Sequence, residues 1–290
     1  MRRLHSVPLL VAMLALSTAA RAATQPPPDP GAYFRYTNCT PAPYQCGQVE
    51  FDLNYPFAVD GVARPDYCSS PGHRLFCVNN TLTIDLSTGA SFQVTGVDYG
   101  NQALAVIDQS LAHEPACPHA YRNTTIDAAA FAYTDRDRFL TAYVNCLRPF
   151  AYTRSSLPPV HDAFACVAGG RSYFMLDNGT SAPEDVLGLG LGVECSSILV
   201  VPYDSAMADA LATGNATLGG AVRAGFTVRW KAGDGWCGGC QASGGRCGHD
   251  SRAPGDHTCF CPGGQVIGSC PSSSGIQYFF LRCNCLANYV

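Results

Sequence analysis

The chain has 290 residues, room for one large or two modest domains, and with 47% hydrophobic and 14% charged residues it is globular rather than disordered. Its formal net charge of −4, from 18 basic and 22 acidic residues, argues against nucleic acid as a partner. Sixteen cysteines, an even count far above ordinary usage, argue against a reducing compartment.

Residues 1–23 read as a secretory signal peptide. Arg2, Arg3 and His5 give a basic start, residues 7–16 a short apolar run, and Ala20-Arg21-Ala22 a small-x-small cleavage site. The run is too short for a stable bilayer anchor. Cleavage there removes three arginines and no acids, taking the net charge from −4 to −7. Secretion makes disulfides the simplest use of the cysteines. Sequons at Asn38, Asn79, Asn123, Asn178 and Asn215 fit a glycosylated extracellular chain.

Residues 24–32 form a proline-rich leader. A first module is expected over 33–154, with Cys39, Cys46, Cys68, Cys77, Cys117 and Cys146. Residues 81–86 alternate polar and apolar, as a half-buried strand does. Two further strands are expected at 90–99 and 102–108, with Gly100-Asn101 as the turn between them, and another at 139–147. Residues 155–159, with paired prolines, are the expected linker. The second module, 160–264, carries Cys166, Cys195, Cys237, Cys240, Cys247, Cys259 and Cys261. Strands are expected there at 171–176, 189–194 and 225–230. One helix is expected at 204–213, capped by Asp204, with Met207, Ala210 and Leu211 on one face and Gly214 at its end. Residues 265–290 are a tail with Cys270, Cys283 and Cys285, whose pairing is open. Its apolar run, 278–281, is too short for a transmembrane segment. The expected fold class is mainly β: two disulfide-stapled extracellular modules, with one short helix in the second. Pairs are expected to stay within a module, with Cys68–Cys77 as a local bridge.

Catalytic signatures are sparse. The chain has no Gly-x-Ser-x-Gly elbow and no His-Glu-x-x-His helix. Carboxylate pairs such as Glu184-Asp185 occur in any chain with this many acids. Cys237-Gly238-Gly239-Cys240 invites a zinc site with Cys259, Cys261, His249 or His257, or a redox pair, but secretion and the even cysteine count favour disulfides. No catalytic residue, metal ligand or cofactor is assigned.

Two motifs carry a family resemblance. Cys46-Gly47, Tyr55-Pro56-Phe57, Arg64-Pro65-x-x-Cys68-x-x-Pro71-Gly72 and a closing Cys77 resemble the galacturonan-binding domain of plant wall-associated receptor kinases. Gly225-Phe226-x-Val228-x-Trp230, Cys237-x-x-Cys240, Ser243-Gly244-Gly245-x-Cys247-Gly248 and Cys259-Phe260-Cys261 resemble the C-terminal module that follows it in such ectodomains. Together they cover roughly 33–264, in the expected order. The chain departs from the family at Ser69, where glycine is common, at His73, where an aromatic is common, and in lacking the kinase.

The resemblance implies a secreted ectodomain of the cell wall or apoplast that binds pectin or oligogalacturonides without catalysis. A membrane receptor kinase is a further expected partner. Regular carboxylates on a sugar polymer call for arginine forks and flat aromatics. Only Lys231 among the basic side chains is a lysine, and arginine suits carboxylate recognition. The candidate contacts are Arg64, Tyr67, His73, Arg74 and Arg122, with Arg136 and Arg138 beyond them. Against this, Tyr55 and Phe57 read as core, Arg64 as a partner of loop carbonyls, and 135–138 as a solvated turn. An acidic chain is not drawn to a polyanion overall, so binding needs a local arginine patch or Ca²⁺ bridging carboxylates of both partners. The alternative function is a protein- or peptide-interaction module, a soluble decoy or co-receptor, without sugar binding. A wall-modifying hydrolase is a third reading.

Overall fold

The computed structural model describes residues 33–111, 123–146, 160–162, 171–176, 195–250 and 253–271. The expected signal peptide, leader, linker and strand at 189–194 lie outside these residues. So do Arg122, Asn178, Cys117, Cys166, Cys283 and Cys285.

Helix α1 (Phe34–Asn38) leads into a hairpin of β1 (Ala42–Cys46) and β2 (Val49–Leu53). Then come β3 (Ala58–Val59), a 3₁₀ turn (Asp66–Cys68), β4 (Arg74–Val78), β5 (Thr81–Ser87), β6 (Ala90–Asp98), β7 (Ala103–Asp108) and β8 (Phe131–Tyr133). The alternation expected at 81–86 is real: Leu82, Ile84 and Leu86 of β5 point inward and Asp85 outward. Strand β9 (Asp137–Cys146) lies between β11 (Arg171–Leu176) and β12 (Cys195–Asp204) in a second sheet, with β10 (Val160–Asp162) at its edge.

Strand β13 (Phe226–Trp230) does not join the sheet that precedes it. It enters the first sheet, whose order is β3-β4-β5-β6-β7-β13-β8. Thr227 stands opposite Ala105 of β7, and Val228 opposite Tyr133 of β8. Gly225 permits this entry. Its φ is +77°, and a Cβ there would collide with the Val106 carbonyl. Phe226, Val228 and Trp230 then join Phe57, Leu75, Ile84, Phe92, Leu104 and Phe131 in one core, while Thr227 and Arg229 face outward.

The helix expected over 204–213 is a 3₁₀ turn (Ser205–Met207) running into α2 (Ala208–Ala212). Asp204 does cap it, accepting the Ala206 N–H at 2.9 Å. Two more helices follow, so this half has three short helices among the described residues rather than one. They are α3 (Leu218–Ala224), capped by Thr217, and α4 (Cys237–Ala242). Each contains two glycines, which oppose helix in isolation. Burial of Leu218, Ala221 and Val222 against the second sheet outweighs that cost for α3. Two cystines, formed through its own Cys237 and Cys240, anchor α4, which leads to β14 (Arg246–Asp250), β15 (Ala253–Cys261) and β16 (Gly264–Val266), a third sheet.

The disulfides correct two expectations. Cys68 pairs with Cys39 and Cys77 with Cys46, not with each other. The hairpin tip at Gly47 lies against Asn80, just beyond Cys77, so β4 carries Cys77 to Cys46. Cys146 pairs with Cys195 directly opposite on β12, crossing the expected module boundary. Cys237 and Cys240 pair outward, with Cys247 and Cys259, which removes the CxxC redox pair. Tail Cys270 pairs with Cys261. Among the described residues no helix is long and apolar enough to cross a membrane.

Candidate functional site

Four of the five expected contact residues are described, and most face inward. The Arg64 guanidinium donates to the carbonyls of Cys39, Thr40 and Leu53 at 3.0–3.2 Å. Burial lowers its pKa, yet three acceptors hold it. Tyr67 packs edge-on against Phe260 and beneath the Arg35 guanidinium, and its hydroxyl accepts from Asn38 Nδ2 at 2.7 Å. His73 is only 3% exposed and sits beside Phe57 and Phe131, filling the slot where the resemblance expects an aromatic. Arg74 is open to solvent but ion-paired to Asp66 at 3.0 Å and Asp60 at 3.7 Å. Arg64 and His73 are thus turned into the fold, while Tyr67 and Arg74 are held by Asn38, Asp66 and Asp60. Asn38, Asn79, Asn123 and Asn215 are exposed.

The outer face of the first sheet offers a different arrangement. A groove of about 790 Å³ crosses β6, β7, β13 and β8. Its floor is small because of the sequence: Ala103, Ala105 and Thr227 are the outward positions of β7 and β13. A bulge between Val94 and Gly96 sets Gly96 opposite Ala105, which lowers the floor further. Tyr133 forms one wall. Its hydroxyl donates to the Thr124 carbonyl at 3.2 Å, and burial pushes its pKa up to about 12, so it stays protonated. Asp135 and Arg136, from the β8–β9 turn, overhang the groove, and Arg229 rises from β13.

Asp137 fixes that overhang. It is 6% exposed and accepts the Thr227 N–H at 3.0 Å through one oxygen and the Thr134 N–H and hydroxyl through the other. Burial outweighs these bonds and holds its carboxyl above the usual range.

The groove's charges are largely spoken for. Arg136 meets Asp204 at 2.8 Å, and Arg229 meets both oxygens of Asp234 at 2.9 and 3.0 Å. Asp98 accepts from the backbone and amide of Asn101, which lowers its pKa. Cys259, Cys261 and Cys270 sulfurs cluster closely, but all three are in disulfides and offer no thiolate to a metal.

Arg136 was named by the sequence. Arg229 was legible as an outward residue of Phe226-Thr227-Val228-Arg229-Trp230. Its placement beside Tyr133 and Ala103 was not, because that needs the pairing of β13 with β7 and β8.

Comparison with known proteins finds two family matches. Residues 39–108 match the wall-associated receptor kinase galacturonan-binding domain, and residues 165–264 match the wall-associated receptor kinase C-terminal domain. The chain is also similar to an Arabidopsis thaliana protein named "Putative RING-H2 finger protein ATL21B", at 22% identity over 221 residues, 75% of this chain and 52% of that protein. The chain therefore spans about half the length of that relative. No solved structure matches it. The groove draws its floor from both matched regions: Ala103 and Ala105 from one, Thr227 and Arg229 from the other.

Proposed function

We propose that this chain, which belongs to the wall-associated receptor kinase family through its galacturonan-binding and C-terminal modules, binds cell-wall pectin in the groove across β6, β7, β13 and β8 and leaves the polymer intact. The observation that carries this reading is an open, small-floored groove flanked by Arg136 and Arg229. A floor of glycine, alanine and threonine lets an extended polymer lie close to the backbone. Guanidinium forks at the rim match uronate carboxylates. Asp204 and Asp234 hold the arginines in place until a ligand carboxylate exchanges for them. Long-range attraction contributes little in an acidic chain, so affinity rests on these local contacts.

Binding without catalysis is supported by the state of the groove's acids. Asp98 and the rim partners Asp204 and Asp234 are engaged by hydrogen bonds or arginines. That leaves exposed Asp135 as the groove's one acid without such a partner among the described residues, and a lone carboxylate does not make the pair that glycoside hydrolysis uses. The carboxyl pushed upward, Asp137, is buried behind the wall, out of reach of a glycosidic oxygen. The disulfides and the exposed sequons support an extracellular location, in the wall or apoplast.

The test is titration of the secreted, disulfide-complete protein with oligogalacturonides, de-esterified and methyl-esterified, at two salt concentrations, with and without Ca²⁺. The expected result is binding to the de-esterified form, weakened by salt and by Arg136→Ala with Arg229→Ala. Binding that requires Ca²⁺ would move recognition to the acids. No binding under any condition would overturn the reading.

A further inference from the structure

A second concavity, of about 380 Å³, lies where Tyr99 and Trp230 of the first sheet meet the turn into α4. Four aromatics border it: Tyr99 and Trp236 are partly exposed, while Tyr55 and Trp230 are buried behind them. The rings brace one another. Trp230 stands edge-on to Phe57 and to Tyr99, at 4.9 and 5.6 Å between centroids. Trp236 stands edge-on to Tyr55 at 5.6 Å and stacks on His257 at 4.7 Å. The Tyr99 hydroxyl bonds both the N–H and the carbonyl of Asn54, so the ring cannot swing. The volume falls at the lower end of small-ligand sites, and rigid aromatic walls are what such sites use.

Two amides complete the lining. Gln102 and Gln241 both border the pocket, and neither side chain has a hydrogen-bond partner among the described residues. Gln102 holds a φ of +52°, a conformation that glycine or asparagine adopts at far lower cost. A long amide is kept there despite that strain, and it borders the cavity. The bordering carboxylate, Asp234, is neutralised by Arg229 through two bonds. That ion pair stands between this pocket and the groove, since Arg229 borders one and Asp234 the other.

We propose that this pocket binds a single uncharged sugar ring, a neutral hexose or pentose or a methyl-esterified uronate. A sugar ring offers C–H faces to aromatic walls and hydroxyls to amides that both donate and accept. A free carboxylate finds no cation among the described residues that border it. The site is distinct from the groove in place and in the charge of its ligand, and it holds whether or not the groove takes polygalacturonate.

Both tryptophans of the chain line this pocket, so intrinsic fluorescence reports its occupancy directly. The intact secreted protein is titrated with galactose, arabinose, rhamnose and methyl galacturonate methyl ester, and separately with sodium galacturonate. The expected result is a saturable change with at least one uncharged sugar, insensitive to salt, and none with galacturonate. The methyl ester against the neutral sugars distinguishes an esterified uronate from a neutral sugar as the ligand. Gln102→Gly, which relaxes the turn, and Gln241→Ala, on an exposed helix position, each weaken binding by about fivefold, the worth of one hydrogen bond. Arg136→Ala leaves this signal unchanged while weakening the groove. No response to any uncharged sugar by natively folded protein overturns the proposal. So does an undiminished response in the double amide variant, or a response only to galacturonate.

Discussion

Asp137 is bonded to Thr227 across the two sheets: a carboxylate from the first residue of β9 accepts the backbone N–H of the second residue of β13 at 3.0 Å. The same carboxylate takes the Thr134 N–H and hydroxyl, so one buried group closes the β8–β9 turn and pins it to the strand beneath the groove. Asp137→Asn places an N–H₂ where an acceptor is needed and leaves at least one buried donor unpaired. The expected cost is about 1–3 kcal/mol of stability, read as a shift in urea midpoint. Because Arg136 rides on that turn, affinity for de-esterified oligogalacturonide falls as well. An unchanged midpoint would show that the turn is held otherwise.

His73 gives the fold an acid-side weakness. The Pro71 carbonyl can only accept, so Nδ1 carries the proton in the 3.0 Å contact, and Nε2 is left buried without a partner. Burial is the main cause of a pKa below the usual histidine value, opposed by hydrogen bonds to backbone and by Asp127. Between the lowered folded pKa and the unfolded value of about 6.5, the unfolded chain binds more protons. The contribution from His73 is therefore complete above about pH 6.5 and is lost as pH falls toward the folded pKa. Its slope is at most about 1.4 kcal/mol per pH unit. His73→Phe removes the titrating group. Unfolding free energy measured at several pH values between about 5 and 7.5 is expected to show a shallower acid-side decline in the variant than in the parent. Parallel curves would refute the assignment.

Arg64 was a candidate ligand contact, and its geometry assigns it a different task. Its three carbonyl partners come from the α1–β1 loop and the end of β2, which it ties to the loop before Cys68. Arg64→Ala is expected to cost about 1–3 kcal/mol of stability and to leave oligogalacturonide affinity per folded molecule unchanged. Thermal unfolding alongside titration separates the two effects. A loss of affinity at unchanged stability would return Arg64 to the binding site.

How much of this was legible follows the range of each interaction. Leu82, Ile84 and Leu86 announce their strand by alternation alone, and Phe226, Val228 and Trp230 do the same. Asp204 announces its cap two residues ahead. The burial of His73 depends on Phe57 and Phe131, and the groove on Ala105 meeting Thr227, pairings that neither local pattern encodes. Cys68 is nearer in sequence to Cys77 than to Cys39, yet the strand between Arg74 and Val78 carries Cys77 away. Gly219, Gly220, Gly238 and Gly239 conceal two helices that packing and cystines impose.

The ion pairs at the groove rim yield a prediction that runs against simple charge counting. Asp234 occupies the end-on edge of Arg229, through Nη1 and Nη2, which a uronate would also use. Both side chains remain partly open, at 37% and 43% exposure, so the pair is screened and contributes little to stability. Asp234→Asn removes the competing charge while keeping an acceptor oxygen to steady the guanidinium. Stability is expected to change by less than about 1 kcal/mol. Affinity for de-esterified oligogalacturonide is expected to rise by about threefold, with a steeper dependence on salt. The methyl-esterified polymer, which has no carboxylate to exchange, is expected to show no gain. Equal gains for both polymers would mean that Asp234 acts by occupying space rather than by holding Arg229. A loss for the de-esterified form would mean that the aspartate positions the fork and does not compete for it.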